Sequence, residues 1–229
     1  MKSIKKLQEL SKVRRERHHP LIHHIHKRYN ISRKTLFYVK EYGSKSNATK
    51  VIIKESIKIL LFASIISSFG GLALEQIKSI FLSFTPLIIL MPVLNDMIGN
   101  YGTIISARFS TLLHEKKMKN VWNNEEIKKL FLQTIIISLL TLIISISAAF
   151  LISFLSGYEL TKIVALKISL IGLITVISLI IIIFVIAIIA GLYFYKKKED
   201  PNNFLIPITT SIADLGNMLV LALLVILFF

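Results

Sequence analysis

The chain has 229 residues, of which 54% are hydrophobic, no cysteine, and a formal net charge of +15. The absence of cysteine excludes disulfide frameworks, thiolate metal sites and cysteine nucleophiles. The apolar residues form long blocks without charge, such as 131–155 and 168–195, whereas a soluble domain of this length would hold them in short periodic runs. A hydrocarbon core of about 30 Å needs about 20 apolar helical residues, so these blocks are long enough to span a membrane.

Residues 1–50 form a basic segment in which fourteen Lys and Arg against three Glu leave a charge of +11. Pro20 lacks the amide donor that a continuing helix needs, so we expect separate short helices at about 4–17 and 21–38. A basic flank beside spanning helices stays in the cytoplasm and lies against anionic lipid, which is favoured over nucleic-acid binding. We therefore expect a cytoplasmic segment over 1–50, a transmembrane domain over 51–229, membrane lipid as a partner, and no nucleic acid.

A group of histidines lies in this basic segment, at His18, His19, His23, His24 and His26. Helical spacing places some of them on one face, but Pro20 interrupts that spacing. A solvated basic surface is therefore favoured, and a cytoplasmic ion sensor is the alternative.

Five apolar stretches predict an all-α integral membrane protein with five transmembrane helices, at about 57–74, 86–113, 130–155, 163–195 and 204–229. The second predicted span contains Pro92, Gly99 and Gly102, so we expect it to be kinked or locally unwound. An odd number of spans without internal duplication gives few helices to surround a path. We therefore expect a two-fold homodimer with a central pore.

Basic loops set the orientation. Several lysines lie between the second and third spans and between the fourth and fifth: Lys116, Lys117, Lys119, Lys128, Lys129, Lys196, Lys197 and Lys198. The positive-inside rule places both loops in the cytoplasm. Five crossings then put the N-terminus inside and the C-terminus outside a multi-pass protein of the cell membrane.

Two acidic residues, Asp96 and Asp214, lie deep in the second and fifth predicted spans. These spans run in opposite senses, and both carboxylates fall near the midplane. An Asp at that depth costs about 2.5–3.5 kcal/mol on insertion scales, so it is a functional candidate. A buried ion pair is less favoured, because no Lys or Arg lies at this depth and Arg108 is about 18 Å further along its helix.

Polar residues recur with each acid at helical spacing. Beside Asp96 they are Gly99, Asn100, Thr103, Ser106 and Ser110, and beside Asp214 they are Thr210 and Asn217. Oxygen ligands with one or two carboxylates suit Mg²⁺, which keeps several waters, and Mn²⁺ or Co²⁺ stays open. An interhelical bond is an equal alternative for Asn100. Structural bonding within or between helices is expected for Ser64, Ser67, Ser138, Thr141, Ser145 and Ser178.

Two segments resemble a known family. They are Met91-Pro92-Val93-Leu94-Asn95-Asp96-Met97-Ile98-Gly99-Asn100 with Ser106-Ala107-Arg108-Phe109-Ser110-Thr111, and Asp200-Pro201-Asn202-Asn203 with Ile206-Pro207, Thr209-Thr210 and Ala213-Asp214. The first resembles the second helix of the MgtE magnesium transporters and their animal solute-carrier relatives, in which a proline, a Gly-Asn pair and a polar run ending near an Arg follow one another. The second resembles the entry and first half of their last helix. The resemblance covers about residues 51–229, and the five-helix count agrees with it.

The resemblance implies a homodimer whose pore is lined by the second and fifth helices. It implies that Asp214 faces the hydrated ion and that backbone oxygens of Thr210 and Ile206 assist it. It also implies that Gly99 and Asn100 line the path. The candidate ion-pathway residues are therefore Asp214, Asp96, Asn100, Gly99, Thr210, Ile206, Asn95, Thr103 and Asn217.

This sequence departs from the family pattern in two respects. The basic segment 1–50 stands in place of the family's soluble N-domain and CBS pair, which puts gating by that route in question. Asp96 is an additional acid, which raises the charge at the site, favours a different ion or shares a proton with a neighbouring carboxylate.

Other functions stay open from the residues alone. A Mg²⁺-dependent membrane enzyme, such as a phosphatidyltransferase, needs several acids on neighbouring turns, whereas each span here holds one deep acid. A membrane-anchored binding protein would leave both polar stripes unexplained. Divalent cation transport, with Mg²⁺ as the leading ion, is the favoured function.

Overall fold

The computed structural model describes residues 48–115, 121–197 and 200–229, and the regular structure within them is all helical. The α-helices there are α1 (Ala48–Gln76), α2 (Lys78–Ser83), α3 (Thr85–His114), α4 (Glu125–Leu155), α5 (Lys162–Lys197) and α6 (Pro201–Phe228). A short 3-10 turn, Val121–Asn123, precedes α4. The short helices expected near 4–17 and 21–38, the histidine group and four of the loop lysines (Lys116, Lys117, Lys119 and Lys198) lie outside the described residues.

Five of these helices are long and apolar enough to cross a membrane: Ser56–Gln76 within α1, and the whole of α3, α4, α5 and α6. The prediction of five spans is therefore confirmed. The short helix α2 joins the first two spans, where the sequence reading placed only a connection.

The helices extend beyond the predicted spans because of their capping residues. Helix α4 begins at Glu125 rather than near residue 130, and the Asn124 side chain accepts a 2.9 Å hydrogen bond from the Glu126 amide. Helix α6 begins at Pro201, where the Asp200 side chain accepts a 2.9 Å hydrogen bond from the Asn202 amide. These side chains satisfy amides that a helix leaves unpaired at its start, so the helices extend beyond the apolar stretches.

Helix α3 is continuous from Thr85 to His114, with Pro92 inside it, so the alternative of local unwinding was wrong, and the alternative of a kink stays a prediction. Gly102 is fully packed: a Cβ added to it would lie 3.2 Å from the Cβ of Thr209 in α6. The glycine permits close approach of two helices. It therefore marks a packing contact and not a break in the helix.

Helix α6 lies at the centre of the packing, since it contacts α1, α3 and α5, and α3 also contacts α4 and α5. Aliphatic side chains such as Leu94, Ile98, Ile183 and Leu221 are buried between these helices. The outward faces of α1 and α4 instead expose large apolar side chains, as expected for surfaces in contact with lipid. The fold thus places α3 and α6, which are the second and fifth spans, side by side.

Candidate ion-binding groove

A groove of about 450 Å³ lies between α3 and α6. It is lined by Met91, Pro92, Asn95, Asp96, Gly99, Asn100, Thr210, Asp214 and Met218. Six of the nine candidate ion-pathway residues are in this set, so packing brings both polar stripes to one place. The three others (Thr103, Ile206 and Asn217) do not line the groove.

The carboxylate of Asp214 is held by donors from two other helices. Asn95 in α3 donates its Nδ2 to Oδ1 at 2.7 Å, and Ser67 in α1 donates its hydroxyl to Oδ2 at 3.2 Å. Hydrogen bonds to an ionised carboxylate are about twice as strong as those between neutral groups. Among the described residues, each carboxylate oxygen therefore has one donor, and the side chain is fixed facing the groove.

Asn217 lies behind this contact and is fully buried. Its Nδ2 donates to the Oδ1 of Asn95 at 3.3 Å. Asn95 therefore accepts from Asn217 and donates to Asp214, which fixes the orientation of its amide. The buried Oδ1 of Asn217 has no partner among the described residues.

Asp96 is exposed on the single chain, unlike Asp214, which is half-buried. Its Oδ2 accepts a 3.0 Å hydrogen bond from the Nδ2 of Asn100, one turn along the same helix. The amide of Asn100 thus serves its own helix and not an interhelical contact. Asp96 and Asn100 form the outer part of the groove.

The predicted polar stripe of α3 continues into the interior and not along the groove. Ser106 is fully buried, and its hydroxyl lies 3.0 Å from that of Thr209 in α6. Ser110 is also fully buried, without a hydrogen-bond partner among the described residues. Thr103 bonds back to the carbonyl of Gly99 at 3.2 Å. At 3.6 residues per turn the stripe stays on one side of α3, and the packing of α6 against Ser106 covers that part of it.

The carbonyl of Ile206 accepts a 2.8 Å hydrogen bond from the Thr210 hydroxyl and a 3.2 Å bond from the Thr209 hydroxyl. Thr210 itself lines the groove. These hydroxyls bond one turn back in the manner common for Ser and Thr in membrane helices.

The sequence reading missed Ser67, which it grouped with serines and threonines that bond within or between helices. Ser138 and Ser178 do bond to carbonyls of their own helices, at 2.8 Å and 3.1 Å. Ser67 bonds to Asp214, which is 147 residues away. Nothing local distinguishes Ser67 from the adjacent Ser68, whose hydroxyl bonds to the Ser64 carbonyl. Only tertiary packing reveals the difference.

The groove combines two carboxylates with side-chain amides and a hydroxyl. Within the described ranges no three His, Cys, Asp or Glu side chains form a cluster that would hold a metal ion. A fully dehydrated ion needs more ligands than this, whereas Mg²⁺ retains several waters and takes one or two carboxylates. The chemistry of the groove fits a hard cation that keeps part of its water.

Comparison with known proteins agrees with this chemistry. The family model MgtE, described as a divalent cation transporter, matches residues 91–224. The matched region begins within α3 and ends within α6, and it contains every residue that lines the groove. It is shorter than the resemblance expected over 51–229 and leaves out α1 with Ser67. No curated protein and no solved structure matches the chain.

Proposed function

The chain belongs to the MgtE family of divalent cation transporters, and on that basis we propose that it carries Mg²⁺ across the cell membrane along the groove between α3 and α6. The family consists of transporters and not of enzymes, and the chain is a multi-pass membrane protein that transports divalent cations. The observation that carries the proposal is the carboxylate of Asp214, which donors from α1 and α3 hold in the groove.

In the proposed path, Asp214 attracts the partly hydrated ion, and the amide oxygens of Asn95 and Asn100 accept hydrogen bonds from its water. Asp96 supplies a second carboxylate at the exposed side of the groove, and Thr210 also lines the groove. Gly99 leaves space for the ion, since a Cβ added there would meet nothing within 4 Å. Mn²⁺ and Co²⁺ accept the same oxygen ligands, and competition with Mg²⁺ tests them.

A homodimer is part of the proposal because one chain leaves the groove uncovered. Pro92, Asp96 and Asn100 are exposed near the middle of α3, where a carboxylate facing lipid costs about 2.5–3.5 kcal/mol. A second copy related by a two-fold axis would place the same face opposite. The two grooves would then enclose one central pore.

The proposed orientation has the N-terminus in the cytoplasm and the C-terminus outside. Basic residues near the described helix ends support it: Lys128 and Lys129 lie near the start of α4, and Lys196 and Lys197 end α5. Both ends lie on one side of the bundle, because α4 and α5 cross in opposite directions. Residues 1–50 would then be a cytoplasmic segment beside the transmembrane domain 51–229.

Flux into liposomes tests the function. The purified protein is reconstituted with a Mg²⁺-sensitive dye inside, and an inside-negative potential of 100 mV supplies about 4.6 kcal/mol to a divalent cation. We expect rapid influx for the unmodified chain and none for Asp214→Asn. Glu159→Gln is the matched control, because it removes one carboxylate from an exposed loop.

The outcomes separate the parts of the proposal. Influx abolished by Asp214→Asn and kept by Glu159→Gln supports a path through the groove. Equal flux in all three proteins would remove Asp214 from the path. Absence of flux for every divalent cation, with a folded protein, would contradict Mg²⁺ transport by this chain alone.

A further inference from the structure

A second polar cleft of about 370 Å³ lies between the end of α3 and the start of α4. Its lining residues are Arg108, Thr111, Leu112 and Glu115 from the α3 side and Glu126, Lys129, Leu130 and Gln133 from α4. On each helix the spacing is three, four and seven residues, which is one helical face. The two faces oppose one another where the helices meet the membrane–water boundary. We call this the α3–α4 cleft.

Each side of the α3–α4 cleft contributes one cation and one acid. Arg108 and Lys129 are exposed, and neither side chain forms an ion pair or hydrogen bond with the described part of the chain. A guanidinium and an ammonium without a partner in that part of the chain are available to a phosphate, which guanidinium groups bind through paired hydrogen bonds. The two cations thus point to an anionic group as the ligand.

The charges in the cleft are ordered by depth. Arg108 lies seven residues before Glu115, and is therefore about 10 Å further from the helix end. Lys129 lies three residues after Glu126, which places it about 4.5 Å deeper in α4. On both sides the cation is nearer the hydrocarbon and the acid is nearer the water. A phospholipid with an ethanolamine headgroup has the same order, since its phosphate lies beneath its ammonium.

Apolar surface continues from the cleft into the bilayer. Ile104 lies one turn deeper than Arg108 on the same face of α3, and Ile137 lies one turn deeper than Gln133 on α4. Their side chains are 48% and 51% exposed, and Leu140 beyond them is 57% exposed. An acyl chain attached to a headgroup in the cleft would lie on these side chains.

We propose that the α3–α4 cleft binds a phosphatidylethanolamine-type phospholipid, with its phosphate on Arg108 and Lys129 and its ammonium on Glu115 and Glu126. The acids favour a headgroup with an ammonium over an anionic headgroup, which they would repel. They also favour a primary ammonium over choline, because only the former donates hydrogen bonds to carboxylates. Cations that merely extend to the water layer would show no such preference.

Lipid binding is measured on the full chain in detergent, after its bound lipid has been removed, by native mass spectrometry. Phosphatidylethanolamine, phosphatidylcholine and phosphatidylglycerol with the same acyl chains are titrated in turn. Charge-assisted hydrogen bonds contribute enough that loss of one changes affinity about tenfold or more. We therefore expect Arg108→Gln and Lys129→Gln each to weaken phosphatidylethanolamine binding about tenfold.

Two further variants make the test specific. Lys128→Gln removes the same charge next to Lys129, but Lys128 lies outside the cleft lining and donates to Asn123 at 2.6 Å, so binding should be unchanged. Glu126→Gln should reduce the preference for ethanolamine over choline and leave phosphate binding in place. Equal losses in Lys128→Gln and Lys129→Gln would show unspecific attraction and overturn the proposal.

A preference for phosphatidylglycerol in the unmodified chain would also overturn the proposal, because it would give the acids no part in recognition. Thermal unfolding of each variant in the same detergent separates loss of binding from loss of folding. Arg108 and Lys129 are exposed and lie on different helices. If one variant fails to fold, the other therefore decides the result.

Discussion

Replacement of Ser67 by alanine tests how Asp214 is held. Ser67 lies in α1, outside the region that matches the family, and its hydroxyl is the donor to Oδ2 of Asp214. The substitution removes that donor and leaves the groove lining unchanged. We expect the half-saturating Mg²⁺ concentration for influx to rise, because the carboxylate loses one of the two hydrogen bonds that fix it.

The size of the effect follows from the geometry. A hydrogen bond to a charged group contributes about 1.5–3 kcal/mol. The Ser67–Asp214 distance of 3.2 Å is longer than usual for a hydroxyl donor, so the lower end of this range applies. A loss of about 1.5 kcal/mol corresponds to roughly a tenfold rise in the half-saturating concentration. Maximal flux should change much less, since the path itself stays open.

The assay is the concentration dependence of dye-reported influx in liposomes. Ser68→Ala is the matched control: Ser68 is the neighbouring residue, is exposed, and bonds to the Ser64 carbonyl of its own helix. Ser67→Thr keeps the hydroxyl and should restore most of the affinity. If Ser67→Ala and Ser68→Ala have the same half-saturating Mg²⁺ concentration as the unmodified chain, the Ser67 hydroxyl does not support ion binding by Asp214.

Three further predictions concern residues of α3 and α6. Gly99→Leu should block influx without lowering the thermal unfolding midpoint, because its Cβ position is open, whereas Gly102→Leu should destabilise the protein by about 1–3 kcal/mol against Thr209. Asn217→Leu removes a buried amide whose oxygen has no partner among the described residues. It should therefore keep the unfolding midpoint and yet reduce influx, since Asn95 loses its donor. Asp96→Asn should leave folding intact and weaken Mg²⁺ binding, measured as the half-saturating concentration; an unchanged value would exclude Asp96 from the path.

The five spans were predictable because the membrane imposes a length that apolar stretches of the sequence satisfy directly. The helix ends were less predictable, since Asn124 and Asp200 begin their helices outside the apolar stretches. The alternative that α3 is locally unwound was wrong. Gly102 reads as a flexible point in the sequence, but its closeness to Thr209 depends on another helix.

Part of the candidate site was predictable from the sequence. Deep acids and their helical companions are visible in the sequence, and six of the nine candidates do line one groove. Helical spacing does not say how far a polar stripe follows the groove, and Ser106 turned out to pack against α6. Contacts from a distant helix have no local signal at all, which is why Ser67 was missed.

The position of Ser67 depends on how α1 packs against α6. Gly70 lies one turn after Ser67, and a Cβ on it would clash with the side chain of Met218, which lies one turn after Asp214 and lines the groove. From the Ser67–Asp214 contact to the Gly70–Met218 contact, the residue number rises in both helices. The two helices therefore run parallel, as the first and fifth of five successive crossings must. A larger residue at position 70 would have to displace the Met218 side chain or move α1 away from α6, and the latter would separate Ser67 from Asp214. Gly70 therefore permits the close approach at which Ser67 reaches Asp214, although Gly70 and Ser67 both lie outside the region that the family model matches.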